Sequence, residues 1–162
     1  MSLQRAVFAA GCFWGVQYYF DQVPGVTKST VGYTGGQTEN PTYEEVCSHT
    51  TGHAEAVELE FDPQQVTYEV LVKQFFRMHD PTQLNRQGPD VGDQYRSAIF
   101  YTSEDQKAIA EQIRDELQTK SSDLVVTQIV SAQTFYPAEE YHQRFTEKTG
   151  RGACHIPYKA LD

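Results

Sequence analysis

The apolar positions along this chain recur with two periods, and these predict strands and helices in turn. Alternating apolar and polar residues predict strands, whereas apolar residues three or four apart predict amphipathic helices. The predicted strands cover residues 4–10, 27–36, 53–61, 95–101 and 123–130. The predicted helices cover residues 12–22, 40–47, 67–79, a segment that begins at Ser103, and 137–145 with Pro137 in its first turn. An irregular tail is expected over residues 148–162.

The predicted strands favour an α+β fold over a doubly wound parallel sheet. Residues 54–61 alternate apolar and charged side chains, whereas strands of a parallel sheet buried on both faces are apolar throughout. We therefore expect a two-layer sandwich, a mixed sheet flanked by helices, with one sheet face solvated or packed differently. The chain length suits one domain, expected over residues 1–162.

One long connection interrupts this pattern between Asp80 and Gln94. The segment is polar and has no periodicity. Loops longer than about 12–15 residues in compact domains are usually functional or disordered, and we expect this one to be functional.

Composition excludes several classes of protein. The chain carries 13 Lys and Arg against 22 Asp and Glu, a formal net charge of −9. This charge argues against binding to nucleic acid phosphates or to anionic membranes. Neither a signal-peptide pattern nor a run of about 18 apolar residues is present, so we expect a cytoplasmic protein. Three widely spaced cysteines do not resemble a secreted disulfide framework and favour redox or nucleophilic chemistry.

The stretch GCFWG places Cys12 between a predicted strand and a predicted helix. At such a turn the free N–H groups and the helix dipole stabilise a thiolate, which predicts an acidic cysteine. Phe13 and Trp14 would form an apolar wall beside the sulfur. The alternative is that Cys12 and both aromatics fill the core, because free cysteines are among the most buried residues.

Several longer motifs resemble the methionine sulfoxide reductase A family. They are GCFWG, VGYTGG, NPTYEEVCSHTTGHAEAVELEFDP, FFRMHDPTQLNRQGPDVGDQYRSAIFY and FYPAEEYHQ, and they cover nearly the whole chain except its last dozen or so residues. Asp93 and Gln17 depart mildly from the residues common in the family. The resemblance implies a ferredoxin-like core and an enzyme that reduces free and protein-bound methionine S-sulfoxide, a reaction that reverses methionine oxidation.

The resemblance also implies roles for individual residues. It makes Cys12 the nucleophile and Glu55 the acid that protonates the sulfoxide oxygen, which requires burial to raise the pKa of Glu55. It implies hydrogen bonds to that oxygen from Tyr43 and Tyr95, and an orienting role for Asp90. It implies that Phe13 and Trp14 receive the substrate methyl group. His53 is expected to form structural hydrogen bonds.

The last expectations concern turnover. Many relatives carry a resolving cysteine in a glycine-containing tail, which implies Cys154 here, while Cys47 is expected to serve packing. Electrons would come from thioredoxin or another dithiol, with no bound cofactor or metal and with the protein a monomer. The alternative is a single-cysteine cycle in which an external thiol attacks the oxidised Cys12 directly.

Two other classes of function stay open on the residues alone. A cysteine hydrolase would use Cys12 with His53, His79 or His142 as base, although no signature of such an enzyme is present. A zinc module would draw on the three cysteines and five histidines, but no paired ligand spacing is present.

Overall fold

The computed structural model of the protein describes residues 3–150, in which eight strands and five α-helices follow one another along the chain. The strands are β1 (Gln4–Ala10), β2 (Val26–Thr34), β3 (Ala54–Phe61), β4 (Arg86–Gln87), β5 (Asp90–Val91), β6 (Ser97–Tyr101), β7 (Gln128–Ser131) and β8 (Tyr136–Pro137). The helices are α1 (Phe13–Asp21), α2 (Tyr43–Cys47), α3 (Tyr68–Arg77), α4 (Glu104–Lys120) and α5 (Phe145–Thr149), with short 3-10 helices at Asp93–Tyr95 and Glu140–His142.

Six of these strands form one sheet in the order β7-β6-β1-β3-β2-β8. All neighbours are antiparallel except β6 and β7, which are parallel, so the sheet is mixed as expected. Strands β1, β2, β3 and β6 with α1 and α3 make a β-α-β-β-α-β unit, the ferredoxin-like arrangement. The predicted α+β fold class is therefore confirmed.

The main core lies between one sheet face and helices α1, α3 and α4. Phe8 of β1 is fully buried and stacks on Phe20 of α1 at 5.3 Å and on Phe75 of α3 at 5.3 Å between ring centroids. A third ring, Tyr68, lies 5.9 Å away. Phe8 thus joins the sheet to two helices and holds the layers together.

The opposite sheet face is packed differently. Its buried residues are mostly alanines, such as Ala9 and Ala56, together with Phe100. Ala132 and Phe135 pack against this group. The segment that follows β7 therefore covers part of this face, which agrees with the expectation of an unusual second face.

The helix predicted over residues 137–145 is wrong. Pro137 lies in β8, where it pairs with Gly32, and the Ala138 N–H donates to the Val31 carbonyl at 2.8 Å. Proline has no N–H, so it is tolerated at a sheet edge where no donor is needed. The Gln143 side chain adds two bonds to the Val31 backbone, both 2.9 Å long, and these hold the segment against β2, with only a short 3-10 helix at Glu140–His142.

Three other boundaries differ from prediction. Of the predicted strand 123–130 only the part from Gln128 onward is strand, because the Val126 N–H donates to the Pro81 carbonyl outside the sheet. The connection from Asp80 to Gln94 contains a small hairpin of its own, formed by the two-residue strands β4 and β5. Helix α5 extends to Thr149, so the predicted irregular tail loses its first two residues, and residues 151–162 lie outside the described residues.

No helix within residues 3–150 combines the length and the apolar character that a membrane span requires.

The position of Phe8 generates a stability prediction. Phe8→Ala removes a ring that contacts both layers, and the cavity should lower the free energy of unfolding by about 3–5 kcal/mol. Leu124→Ala, at a side chain that is 72% exposed, should change it by less than about 0.5 kcal/mol. Urea unfolding of both variants measures these values, and equal stabilities would contradict this description of the core.

Candidate active site

Cys12 lies at the turn between β1 and α1, as the sequence predicted. Gly11 has φ +99°, a conformation that glycine adopts without strain, and this lets the chain turn after β1. Cys12 is the N-cap residue of α1, half-buried and without a disulfide partner among residues 3–150. Its sulfur is thereby presented at the end of the helix.

Glu55 lies beneath this helix terminus. It is the second residue of β3 and is 1% exposed, on the sheet face that carries the helices. Its Oε1 accepts a hydrogen bond of 3.2 Å from the Phe13 N–H, the first amide of α1, while Oε2 has no partner among the described residues. The pKa of Glu55 is raised to about 8, mainly by burial and in smaller part by the charge of Asp90, while the hydrogen bond from the Phe13 amide opposes the change.

The expected acidity of Cys12 is not found. Burial is the largest effect and raises the pKa of Cys12 well above its usual value, and the charges of Glu55 and Asp90 add to it. The backbone N–H groups of Trp14 and Gly15 lower this pKa, but Cys12 makes no side-chain capping bond and the raising effects win. Loss of water around the sulfur therefore outweighs the helix terminus.

The charge of Glu55 opposes a charge on Cys12. It raises the pKa of the Cys12 thiol, because like charges in a desolvated site repel strongly. Near pH 7 the Cys12 thiol is therefore neutral, and the carboxyl group of Glu55 mostly keeps its proton.

Two tyrosines stand beside this pair as neutral donors. Tyr43 begins α2 and Tyr95 ends the 3-10 helix at Asp93–Tyr95. Burial, followed by the charge of Glu55, raises the pKa of both hydroxyl groups, so both keep their protons. Their protonated hydroxyls are suited to donate hydrogen bonds near Glu55.

Cys47 ends α2, one turn after Tyr43. Burial raises the pKa of the Cys47 thiol, and the interaction with the Tyr43 hydroxyl only partly opposes this rise. The Cys47 thiol therefore has no raised reactivity of its own.

The hairpin in the long polar connection brings Asp90 to the site. Asp90 is half-buried in β5, and its charge raises the pKa of Cys12, of Glu55 and of Tyr95. The expectation that this connection carries a functional residue is thus consistent with its position.

Phe13 and Trp14 differ in their surroundings. Phe13 is fully buried against Tyr33 and His142, with ring centroids 5.7 Å and 5.3 Å away. Trp14 is half-buried and stacks on Phe145 at 3.9 Å. Only Trp14 therefore presents part of its ring outward.

Sequence reasoning missed the part that residues 139–145 play here. His142 is fully buried, and its Nδ1 accepts the Trp14 Nε1–H at 2.9 Å, which places the imidazole proton on Nε2. Burial lowers the pKa of His142 against the opposing charge of Glu139, so the ring stays neutral. The sequence predicts a helix over this segment and suggests His142 only as the base of a cysteine hydrolase.

His53 serves a structural role, as expected. Its Nδ1 accepts the Gly36 N–H at 3.0 Å and its Nε2 bonds the Thr38 carbonyl at 2.6 Å. Both ring nitrogens are thus used to hold the loop after β2. Within residues 3–150 no group of three or more His, Cys, Asp or Glu side chains is arranged to hold a metal ion. Cys154 lies outside the described residues.

Comparison with known proteins decides the family. The sequence model described as "Peptide methionine sulfoxide reductase" matches residues 4–161. The chain belongs to this family. "Peptide methionine sulfoxide reductase MsrA" of Geobacter sulfurreducens is 56% identical over 155 residues, 94% of this chain and 96% of the relative. The protein of the same name from Acidobacterium capsulatum is 52% identical over 156 residues, 95% of this chain and 100% of the relative. The chain is therefore an enzyme of the methionine sulfoxide reductase class.

Solved structures agree with this family. Mxr1 from Saccharomyces cerevisiae in reduced form superposes with a TM-score of 0.88 at 34% identity, over 93% of this chain and 87% of that one. Methionine sulfoxide reductase A of Corynebacterium diphtheriae gives 0.83 at 36% identity, over 96% and 83% of the two chains. Mxr1 in complex with Trx2 gives 0.64 at 26% identity, over 87% and 84%.

The buried Glu55 generates a prediction about pH and stability. Its folded-state pKa of about 8 exceeds the ordinary 4.5, so the folded protein holds this proton more tightly than the unfolded chain. The associated stability is complete below about pH 4.5 and is lost as pH rises to about 8, on the order of 4 kcal/mol in all.

Glu55→Gln should remove most of this pH dependence, because a neutral amide replaces the carboxyl group. Urea unfolding at about pH 5 and about pH 8 measures it, with Glu60→Gln on the same strand as the matched control. If wild type and Glu55→Gln lose stability equally over this range, the raised pKa is refuted.

Proposed function

We propose that this enzyme reduces methionine S-sulfoxide, free and within proteins, through attack of Cys12 on the sulfoxide sulfur. The observation that carries the proposal is the pairing of a helix-terminal cysteine with a fully buried carboxyl group that keeps its proton near neutral pH. Such a pair supplies a nucleophile and an acid to one substrate bond.

Glu55 is the acid in this reaction. A sulfoxide oxygen leaves poorly unless it is protonated, and Glu55 has a proton and an unpartnered Oε2 to direct at it. As the Cys12 sulfur bonds the substrate sulfur, Glu55 gives its proton to the oxygen and takes up the thiol proton. The S–O bond of the substrate then breaks, the oxygen bonds the Cys12 sulfur as a hydroxyl group, and the S–S bond breaks with its electron pair passing to the substrate sulfur. The products are methionine, reduced by two electrons, and a Cys12 sulfenic acid, oxidised by two.

Neutral donors and an apolar wall complete the site. The protonated hydroxyls of Tyr43 and Tyr95 would stabilise negative charge that develops on the oxygen, without adding a further charge beside Glu55. Trp14, with Phe13 behind it, would receive the methyl group of the S epimer. Asp90 would act through its charge on Cys12 and Glu55, as an orienting group without contact to the reacting atoms.

The sulfenic acid must then be reduced by thiols. The Cys154 thiol would attack it, releasing water and leaving a Cys12–Cys154 disulfide, which an external dithiol reduces by exchange. Cys47 is a poorer candidate because burial raises its pKa and so lowers the fraction of reactive thiolate. The complex of the related Mxr1 with Trx2 supports a thioredoxin as that dithiol.

An epimer-resolved assay tests the reaction and the acid. With dithiothreitol, wild type should convert a blocked methionine S-sulfoxide to the sulfide and leave the R epimer. Glu55→Gln should slow this conversion by about 100-fold or more, because general acid catalysis is lost. Its Cys12 should react with iodoacetamide as fast as wild type or faster, since the opposing charge of Glu55 is gone.

Glu60→Gln is the control and should match wild type in both measurements. Conversion of the R epimer instead of the S epimer would contradict the proposed substrate. Near-normal reduction by Glu55→Gln would remove the acid role from Glu55.

The resolving thiol is tested by single-turnover and steady-state measurements with thioredoxin. Cys154→Ser should convert about one sulfoxide per active site and then stall, because chemistry at Cys12 precedes disulfide formation. Cys47→Ser nearly keeps the size of the side chain and should turn over normally, because the proposed cycle does not use the Cys47 thiol. Sustained turnover by Cys154→Ser would favour the single-cysteine cycle, and a stall in Cys47→Ser would assign the role to Cys47.

A further inference from the structure

The carboxylate of Glu139 joins two tyrosines from different parts of the chain. Its Oε1 accepts the Tyr33 hydroxyl at 2.9 Å, and its Oε2 accepts the Tyr43 backbone N–H at 3.0 Å. Tyr33 belongs to β2 and Tyr43 to α2, whereas Glu139 follows β8. One side chain therefore connects three segments that are distant in sequence.

The bond to Tyr43 fixes where α2 begins. The first amides of a helix have no partner within the helix, and a helix of five residues is not stable alone. Thr42 caps the Glu45 amide, which leaves the Tyr43 amide to Glu139. The position of the Tyr43 ring thus depends on Glu139 as well as on the helix itself.

The bond to Tyr33 ties the same carboxylate to the sheet beside Glu55. Tyr33 is fully buried, lies directly opposite Glu55 in the pairing of β2 with β3, and contacts the Phe13 ring. Burial and Glu139 raise the pKa of Tyr33, which keeps it a donor. Glu139 is thereby anchored to a part of the core that cannot shift easily.

The charge of Glu139 is maintained by these contacts. Partial burial opposes ionisation, but hydrogen bonds from the Tyr43 amide, its own amide and the Tyr33 hydroxyl, with His142 nearby, hold the pKa of Glu139 below its ordinary value. Hydrogen bonds to a charged acceptor are about twice as strong as neutral ones. The link is therefore stronger than an ordinary surface contact.

We propose that Glu139 is a positioning residue that holds the Tyr43 hydroxyl beside Glu55 for sulfoxide reduction. The inference rests on the proposed function, in which the Tyr43 hydroxyl donates a hydrogen bond to the sulfoxide oxygen. Glu139 affects the reaction only by holding Tyr43 in place for that bond. Glu139 itself contacts no reacting atom.

The variants Glu139→Ala and Glu139→Gln test this role. Glu139→Ala should lower kcat/KM for methionine S-sulfoxide by about 10- to 100-fold, through loss of hydrogen bonds to a charged group. Glu139→Gln keeps an oxygen for the Tyr43 amide and an amide group for the Tyr33 oxygen, and it should recover most of that loss. Glu140→Ala, at the exposed neighbouring residue, is the control and should match wild type.

Two further measurements separate positioning from general damage. Hydrogen exchange of the Tyr43 amide should quicken at least about tenfold in Glu139→Ala, while amides of β1 and the rate of Cys12 alkylation stay unchanged. In a Tyr43→Phe background, Glu139→Ala should cost less than about threefold in kcat/KM, because its effect passes through the missing hydroxyl.

The outcomes distinguish this inference from the proposed function. If wild type does not reduce the sulfoxide, the proposed function falls and the inference falls with it. If wild type is active, full activity in Glu139→Ala, unchanged exchange at Tyr43, or an undiminished cost of Glu139→Ala in the Tyr43→Phe background overturns the inference alone. If Glu139→Ala does not fold, the Glu139→Gln variant decides. Wild-type activity with slow hydrogen exchange at the Tyr43 amide supports the inference, whereas lost activity with unchanged exchange at that amide refutes it.

Discussion

A buried carboxyl group with no cationic partner in the described part of the chain is the constraint around which this site is organised. Glu55 is removed from water, and the hydrogen bond from the Phe13 amide offsets only part of the cost of its charge. The side chain therefore holds a proton at a pH where most glutamates have none. Its neighbours follow from this condition, since Tyr43 and Tyr95 are neutral donors and the negative Asp90 adds to the cost of ionising Glu55.

The segment after β7 completes the surroundings of Cys12 and Glu55. Gln143 pairs with the backbone of Val31 as a strand would, and this holds the segment against the edge of β2. From that position the segment supplies His142, which anchors the Trp14 indole, and Glu139, which anchors α2. Tyr33 and Tyr43 are thus hydrogen-bonded to a residue of this segment, Glu139, that lies more than 90 positions later in the sequence.

The parts that sequence could predict are those governed by local periodicity or by a recognised motif. The alternation of β3 and the cap at Ser103 are visible locally, and the structure contains both elements. The helix expected at residues 137–145 was wrong because this segment pairs with the distant β2, through the Ala138 N–H and the Gln143 side chain. The pKa of Cys12 was misjudged for a similar reason: a helix terminus is visible in sequence, but the burial and the carboxylates that oppose it come from the tertiary fold.

The attachment of Tyr43 explains how its hydroxyl can act on the sulfoxide oxygen without a movement of α2. Burial, followed by the charge of Glu55, raises the pKa of this hydroxyl, so it keeps the proton that a hydrogen bond to the substrate requires. Under the proposed mechanism, the polarised sulfoxide oxygen would accept this hydrogen bond. Because the Tyr43 backbone amide is held by Glu139, only the ring and its hydroxyl need to adjust, and α2 stays in place.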